Sequence, residues 1–226
     1  MLNGVMTPED LLAGDAALLA RAEQLTETEA HAPIALPGWT RAHVLTHLGH
    51  LSSAFARQAR YAQRGERVEV YDGGRPARDA AIEAGAGRPL PEILDGLRTG
   101  FAELAQAWGD LGDADWSLPC AYRDSDLHAT RLCWWRELEV HWVDLEVGRT
   151  AADWSFATSG HLVDWLLVRI TTPAELTATD TGRTWTTSGE HPVPITGPQH
   201  ALAEWLAGRS SGDDLTGPLP LLDPWP

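Results

Sequence analysis

Apolar residues recur at helical spacing through the first two thirds of this chain, in segments separated by proline and glycine. That pattern restricts the fold more than any other feature. Thr7-Pro8-Glu9-Asp10 has the form of an N-cap, a proline at the first helical position and acids in the first turn. Leu11, Leu12, Leu18, Leu19 and Leu25 follow as one stripe. Pro33 and Pro37-Gly38 break the chain, and Thr40 caps a second helix that runs to Gly65. Trp39 and Val44 are placed to staple its start. Glu66 to Gly74 reads as a loop. A third helical region lies between Pro76 and Leu111, interrupted by Gly85, Gly87 and Pro89, with Pro91–Leu111 the stronger part. After a long loop containing Pro119, a fourth helix runs from about His128 to Val147 and stops at Gly148.

The last third differs. Phe156–Ile170 is still helical, but Glu175–Asp180 and Arg183–Thr187 are threonine-rich and joined by a turn at Gly182, which is strand patterning. Val193–Thr196 reads as an edge strand, Gln199–Leu206 as a short helix ending at Gly208, and Pro218–Pro226 as an extended tail. The expected architecture is mainly α: a four-helix bundle over residues 1–152, then a small α+β domain over 153–226. No stretch approaches the ~20 apolar residues that span a bilayer.

Charge narrows the partners. The 226 residues carry 32 acids against 17 basic residues, a net of −15, and every basic residue is arginine. A nucleic acid or an anionic membrane surface needs a basic face, so neither is expected. The absence of lysine excludes Schiff-base and P-loop chemistry. Cys120 and Cys133 form no CxxC or zinc-finger spacing; both are expected as reduced thiols, which with the lack of a leader points to a cytoplasmic protein.

Histidines concentrate on the second helix. His43, His47 and His50 share a narrow sector beside the Val44, Leu48, Leu51, Phe55 stripe. His47 is nearest that stripe and is expected at the rim of the packed interface, with His43 and His50 turned further toward water. On the fourth helix, Glu137, His141 and Asp144 share a sector beside Trp134, Leu138, Trp142 and Leu145. If the two stripes pack together, His47, Glu137 and His141 converge in a groove. Two imidazoles and a carboxylate suit Zn²⁺ and leave a fourth position open. Asp144 is an alternative to Glu137 as ligand, or a partner that orients an imidazole. The same spacing also fits a solvated face with an i, i+4 hydrogen bond, and there is no HExxH signature. Cys133 is expected on a different side of the helix from Glu137, as a buried thiol.

Three motifs in order carry a resemblance. Leu36-Pro37-Gly38-Trp39-Thr40-Arg41 with Val44-Leu45-Thr46-His47-Leu48 resembles the opening of the mycothiol-dependent maleylpyruvate isomerase family, a branch of the DinB-like bundles. Arg136-Glu137 with His141 and Val143-Asp144-Leu145 resembles its second metal motif. Ala203-Glu204-Trp205-Leu206-Ala207-Gly208-Arg209, then Gly217-Pro218-Leu219-Pro220, resembles its C-terminal segment. The resemblance implies a DinB-like bundle holding a divalent metal, usually zinc, on His47, Glu137 and His141. It places the family's important C-terminal arginine on Arg209. Without the resemblance, Arg209 reads as an arginine serving the last carbonyls of a helix.

The activity so implied is cis–trans isomerisation of maleylpyruvate to fumarylpyruvate, a step of gentisate breakdown, with mycothiol as cofactor. The thiolate, made acidic at the metal, adds to the activated double bond; rotation and expulsion restore the alkene as trans. The partners expected are a small anionic substrate and a low-molecular-weight thiol. Arg209 is suited to hold a substrate carboxylate in a bidentate pair. Two other readings stay open: a mycothiol S-transferase that keeps the thioether, and a non-catalytic metal-binding or stress module.

Overall fold

A computed structural model describes residues 6–226. The described chain forms two compact units, Met6–Val147 and Gly148–Pro226.

The first unit is a four-helix bundle with two added helices. Helix α1 spans Pro8–Ala22, and its Thr7 Oγ1 accepts the Asp10 N–H while Asp10 accepts the Thr7 N–H, closing the cap reciprocally. A short α2, Glu27–His31, starts with the same device on Thr26 and Glu29, the Thr-x-x-Glu pattern of a capping box. Helix α3 spans Arg41–Ala62. The third helical region is two helices, α4 at Gly74–Ala86 and α5 at Leu90–Gly109, parted at Gly87 and Pro89 as the breakers require. Helix α6 spans Leu127–Asp144, begun by Asp126, whose Oδ1 accepts the Ala129 N–H at 2.9 Å.

The four long helices pack around one core, α3 against α5 and α6, and α1 against the same two. Leu11, Leu18, Leu48, Phe55, Leu104, Trp134 and Leu138 are fully buried there. Each such side chain contributes about 1.5–3 kcal/mol of burial. The closest approach is α3 on α5. A Cβ added to Gly100 would lie 2.4 Å from the Gly49 carbonyl oxygen, so only glycine fits. Trp134 buries its indole yet keeps its N–H satisfied, donating to Asp15 Oδ1 at 3.1 Å.

Helix α6 ends three residues earlier than the sequence suggests. Its left-handed terminal residue is Glu146, at φ +53°, ahead of Gly148. A non-glycine residue holds that conformation because tertiary contacts fix it. Glu146 accepts the Ala35 N–H at 2.8 Å and pairs with Arg41, whose Nε donates to the Leu145 carbonyl at 2.6 Å. These partners lie more than 100 residues away in sequence, beyond what a local pattern can report.

The second unit carries helices α7, Phe156–Leu166, and α8, Gln199–Leu206, with a three-stranded sheet. Strand β1, Ala174–Ala178, is central; β2, Thr184–Thr186, pairs with it antiparallel and β3, Val193–Gly197, parallel. Leu176 faces Trp185 on one side and Ile195 on the other, and all three are buried. Pro194 is accommodated because β3 is an edge strand. The chain is therefore mainly α, a helical bundle followed by a small α+β unit.

Candidate metal centre

The cluster is built from two facing helices, α3 and α6. On α3, Thr40 donates its N–H to His43 Nδ1 at 3.1 Å, and its hydroxyl pairs with the same nitrogen at 2.8 Å. His43 is thereby committed to the helix start and half-buried, and His50 is exposed. His47, between them, is only 3% exposed. That order of burial is the one the helical sectors imply.

His47, Glu137 and His141 converge. His47 Nε2 lies 2.9 Å from Glu137 Oε2, and His141 Nε2 lies 3.3 Å from the same oxygen. The two imidazoles meet edge to face with centroids 4.9 Å apart. One donor atom from each residue falls within 4.8 Å of the others. These three form the group of His, Cys, Asp and Glu side chains suited to a metal ion among the described residues. Two imidazole nitrogens and one carboxylate oxygen around a single point fit a tetrahedral Zn²⁺ with one position left for an incoming group.

Asp144 sits behind His141 rather than in the cluster, with Oδ2 2.8 Å from Nδ1. It is 7% exposed. This carboxylate–histidine arrangement turns Nε2 toward the shared point. On the other imidazole, the Arg78 guanidinium lies 3.2 Å from His47 Nδ1 through Nη2. A guanidinium only donates, so His47 Nδ1 accepts and the ring proton sits on Nε2, toward Glu137.

The electrostatics follow from burial and these partners. Burial pushes the pKa of His47 down to about 4, so it is neutral at pH 7. Burial pulls His141 the same way, but the hydrogen bonds it donates to Asp144 and Glu137 outweigh it and raise the pKa to about 9. Burial works against the Glu137 carboxylate too, yet the two imidazoles hold it well below the usual range. The metal-free cluster thus carries one positive charge, on protonated His141, beside a carboxylate and a neutral imidazole.

Two contributors escape a one-dimensional reading. Trp39, expected as a staple for Val44, lays its ring against the imidazoles, 6.0 Å from His141 and stacked at 9°, and 5.8 Å from His47 edge-on. Arg78 comes from α4, whose place beside α3 no local signal announces. Cys133 corrects the sequence expectation: its Sγ lies 4.0 Å from Glu137 Oε1. Four residues turn a helix through about 400°, so the two share a face. Its thiol is buried, and burial followed by the Glu137 charge raises its pKa to about 12. Cys120 is also free and buried.

Arg209 belongs to the second unit, just beyond α8. Its Nη1 donates to the Ala207 carbonyl at 2.7 Å, and its guanidinium lies 5.5 Å from the centre of the Trp225 ring. No helix among the described residues is long and apolar enough to cross a membrane.

A bundle of this topology, with two histidines and a glutamate from facing helices at one point, defines a four-helix protein with a side-chain cluster suited to a metal ion and an added α+β unit. Comparison with known families narrows the class. The model of the mycothiol maleylpyruvate isomerase N-terminal domain matches residues 11–146, and the chain belongs to that family. Crystal structures of a mycothiol-dependent maleylpyruvate isomerase and of its histidine-to-alanine mutant superpose with a TM-score of 0.86 each. The identity is 21%, over 97% of this chain and 98% of theirs. No curated protein matches the sequence significantly.

Proposed function

We propose that this protein is a metal- and mycothiol-dependent isomerase that converts maleylpyruvate to fumarylpyruvate. The observation that carries the reading is the convergence of His47, Glu137 and His141 in a chain of this family. A divalent ion bound there acidifies a thiol, and the thiol supplies a nucleophile for reversible addition to an activated double bond.

The protein's own residues do the rest. His47 offers a neutral imidazole at pH 7, and Glu137 a permanent negative charge. Asp144 fixes the ring of His141 and takes up the positive charge that ring carries when protonated. Trp39 stacks on His141 and meets His47 edge-on, so an indole ring borders both imidazoles. Both histidine side chains are at most 11% exposed, whereas that of Glu137 is 20% exposed, so the cluster is approached from the carboxylate side. Arg209 is assigned to a substrate carboxylate on the C-terminal motif alone.

The test is a reaction of purified zinc-loaded protein with maleylpyruvate, with and without mycothiol, followed by chromatography and mass spectrometry. The expected result is a thiol-dependent product of unchanged mass with trans geometry. A product heavier by one thiol makes the protein an S-transferase, and no thiol-dependent change makes it a binding module.

A further inference from the structure

A second cavity opens one turn along α3 from the metal cluster. Its volume is about 310 Å³, and it lies between α3, the connection after it and α4. This is the lower end of the ~300–1,000 Å³ typical of small-molecule sites, so a small metabolite fills it. Alanines of α3 and α4, with Val70, make its apolar wall; His50, Ser53, Arg57, Tyr71 and Arg78 supply polar groups, and the one acid on it, Asp72, is the partner of Arg57.

Two guanidiniums on one small cavity are conspicuous in a chain of net charge −15. Both are held in place. Arg57 Nη2 pairs with Asp72 at 2.7 Å, and Arg78 Nη1 pairs with Asp79 at 2.7 Å. Asp72 and Asp79 are 83% and 57% exposed. Water screens such exposed carboxylates, so they offset the arginine charges only in part. A guanidinium has five N–H donors; Arg78 spends some on Asp79, His47 and Tyr71 and Arg57 spends one on Asp72, so each keeps donors for a ligand. The arrangement is preorganised for a planar carboxylate.

Arg78 also ties the cavity to the chemistry. Its Nη1 and Nη2 reach Asp79 and His47, so one guanidinium borders both the cavity and the metal cluster. A carboxylate seated on it is therefore held beside the metal cluster. We infer that this cavity is the acid-recognition subsite, in which Arg57 and Arg78 hold a carboxylate of the anionic substrate while its reactive carbons face the metal cluster. The inference rests on the function proposed above, and it adds two recognition residues on the bundle itself, independent of Arg209.

Maleate without thiol is an unreactive dicarboxylate probe, and calorimetry of the full-length protein reads its binding with and without zinc. Arg57→Gln keeps the length and polarity of the side chain but loses the charge; Arg78→Lys keeps the charge but loses the fork. Each variant is expected to weaken maleate binding at least tenfold. Arg57→Gln should keep about one zinc per chain and, in turnover, raise KM with little change in kcat. Circular dichroism checks that both variants fold. Maleate bound equally by wild type and both variants, or by none of them, overturns the subsite. Wild-type protein that binds maleate but neither holds zinc nor isomerises anything removes the proposed function and leaves the anion site standing. Normal turnover with unchanged KM in both variants removes the subsite and leaves the function.

Discussion

The metal-free cluster holds its proton on His141, and that fixes how metal affinity must depend on pH. The ion needs the Nε2 lone pair of His141, whose pKa is about 9. At pH 7 that ring is therefore mostly protonated, which weakens apparent binding on the order of 100-fold. His47, with its pKa at about 4, is already neutral and releases nothing. Its proton passes to Nδ1, at the expense of the Arg78 contact. Glu137 is already ionised. One proton therefore leaves per ion bound, and apparent affinity rises about tenfold per pH unit between pH 5 and 9, then levels off. Chelator competition at pH 6, 7 and 8 measures the slope, and calorimetry in two buffers of different ionisation enthalpy counts the proton. A flat profile with no proton released would refute the assignment of the charge to His141. The metal-free fold should show the opposite trend. A raised histidine pKa stabilises the fold fully below pH 6.5, and that contribution is lost as pH rises through 9. Its melting temperature should fall over that window.

Three further outcomes are expected. His47→Ala, Glu137→Ala and His141→Ala should each lose bound zinc while keeping a helical circular-dichroism spectrum, because the core is built from leucines and tryptophans; His43→Ala and His50→Ala should keep the metal, and the reverse order would mean the helix is read in the wrong phase. Gly100→Ala forces α3 from α5, since the new Cβ would meet the Gly49 carbonyl oxygen at 2.4 Å. It should cost about 1–3 kcal/mol and lower the melting temperature by several degrees, and an unchanged melting curve would show that the two helices can part freely. Arg209→Ala should lower turnover with zinc content near one per chain, and Arg209→Lys should not fully restore it; unchanged turnover returns Arg209 to its carbonyl-binding role at the end of α8.

The sequence by itself determined the long helices, the strands around Gly182, the membership of His47, Glu137 and His141 in one face each, and the order of burial among the three α3 histidines. These are properties of a chain with fixed periodicity, where 3.6 residues per turn and caps such as Thr7 and Asp126 act over a few residues. Tertiary structure alone decided the rest, because the forces involved act between residues distant in sequence. Glu146 ends α6 in a left-handed conformation because Arg41 and the Ala35 N–H hold it there. Trp39 turns its ring onto the imidazoles because α6 brings His141 beneath it. Arg78 reaches His47 across 31 residues because α4 folds back along α3. The charge on His141 and the neutrality of His47 are also tertiary facts. Both rings are buried and both face Glu137, but His141 has Asp144 as a second carboxylate partner whereas His47 has the positive charges of His141 and Arg78 beside it, and this separates a pKa of about 9 from one of about 4.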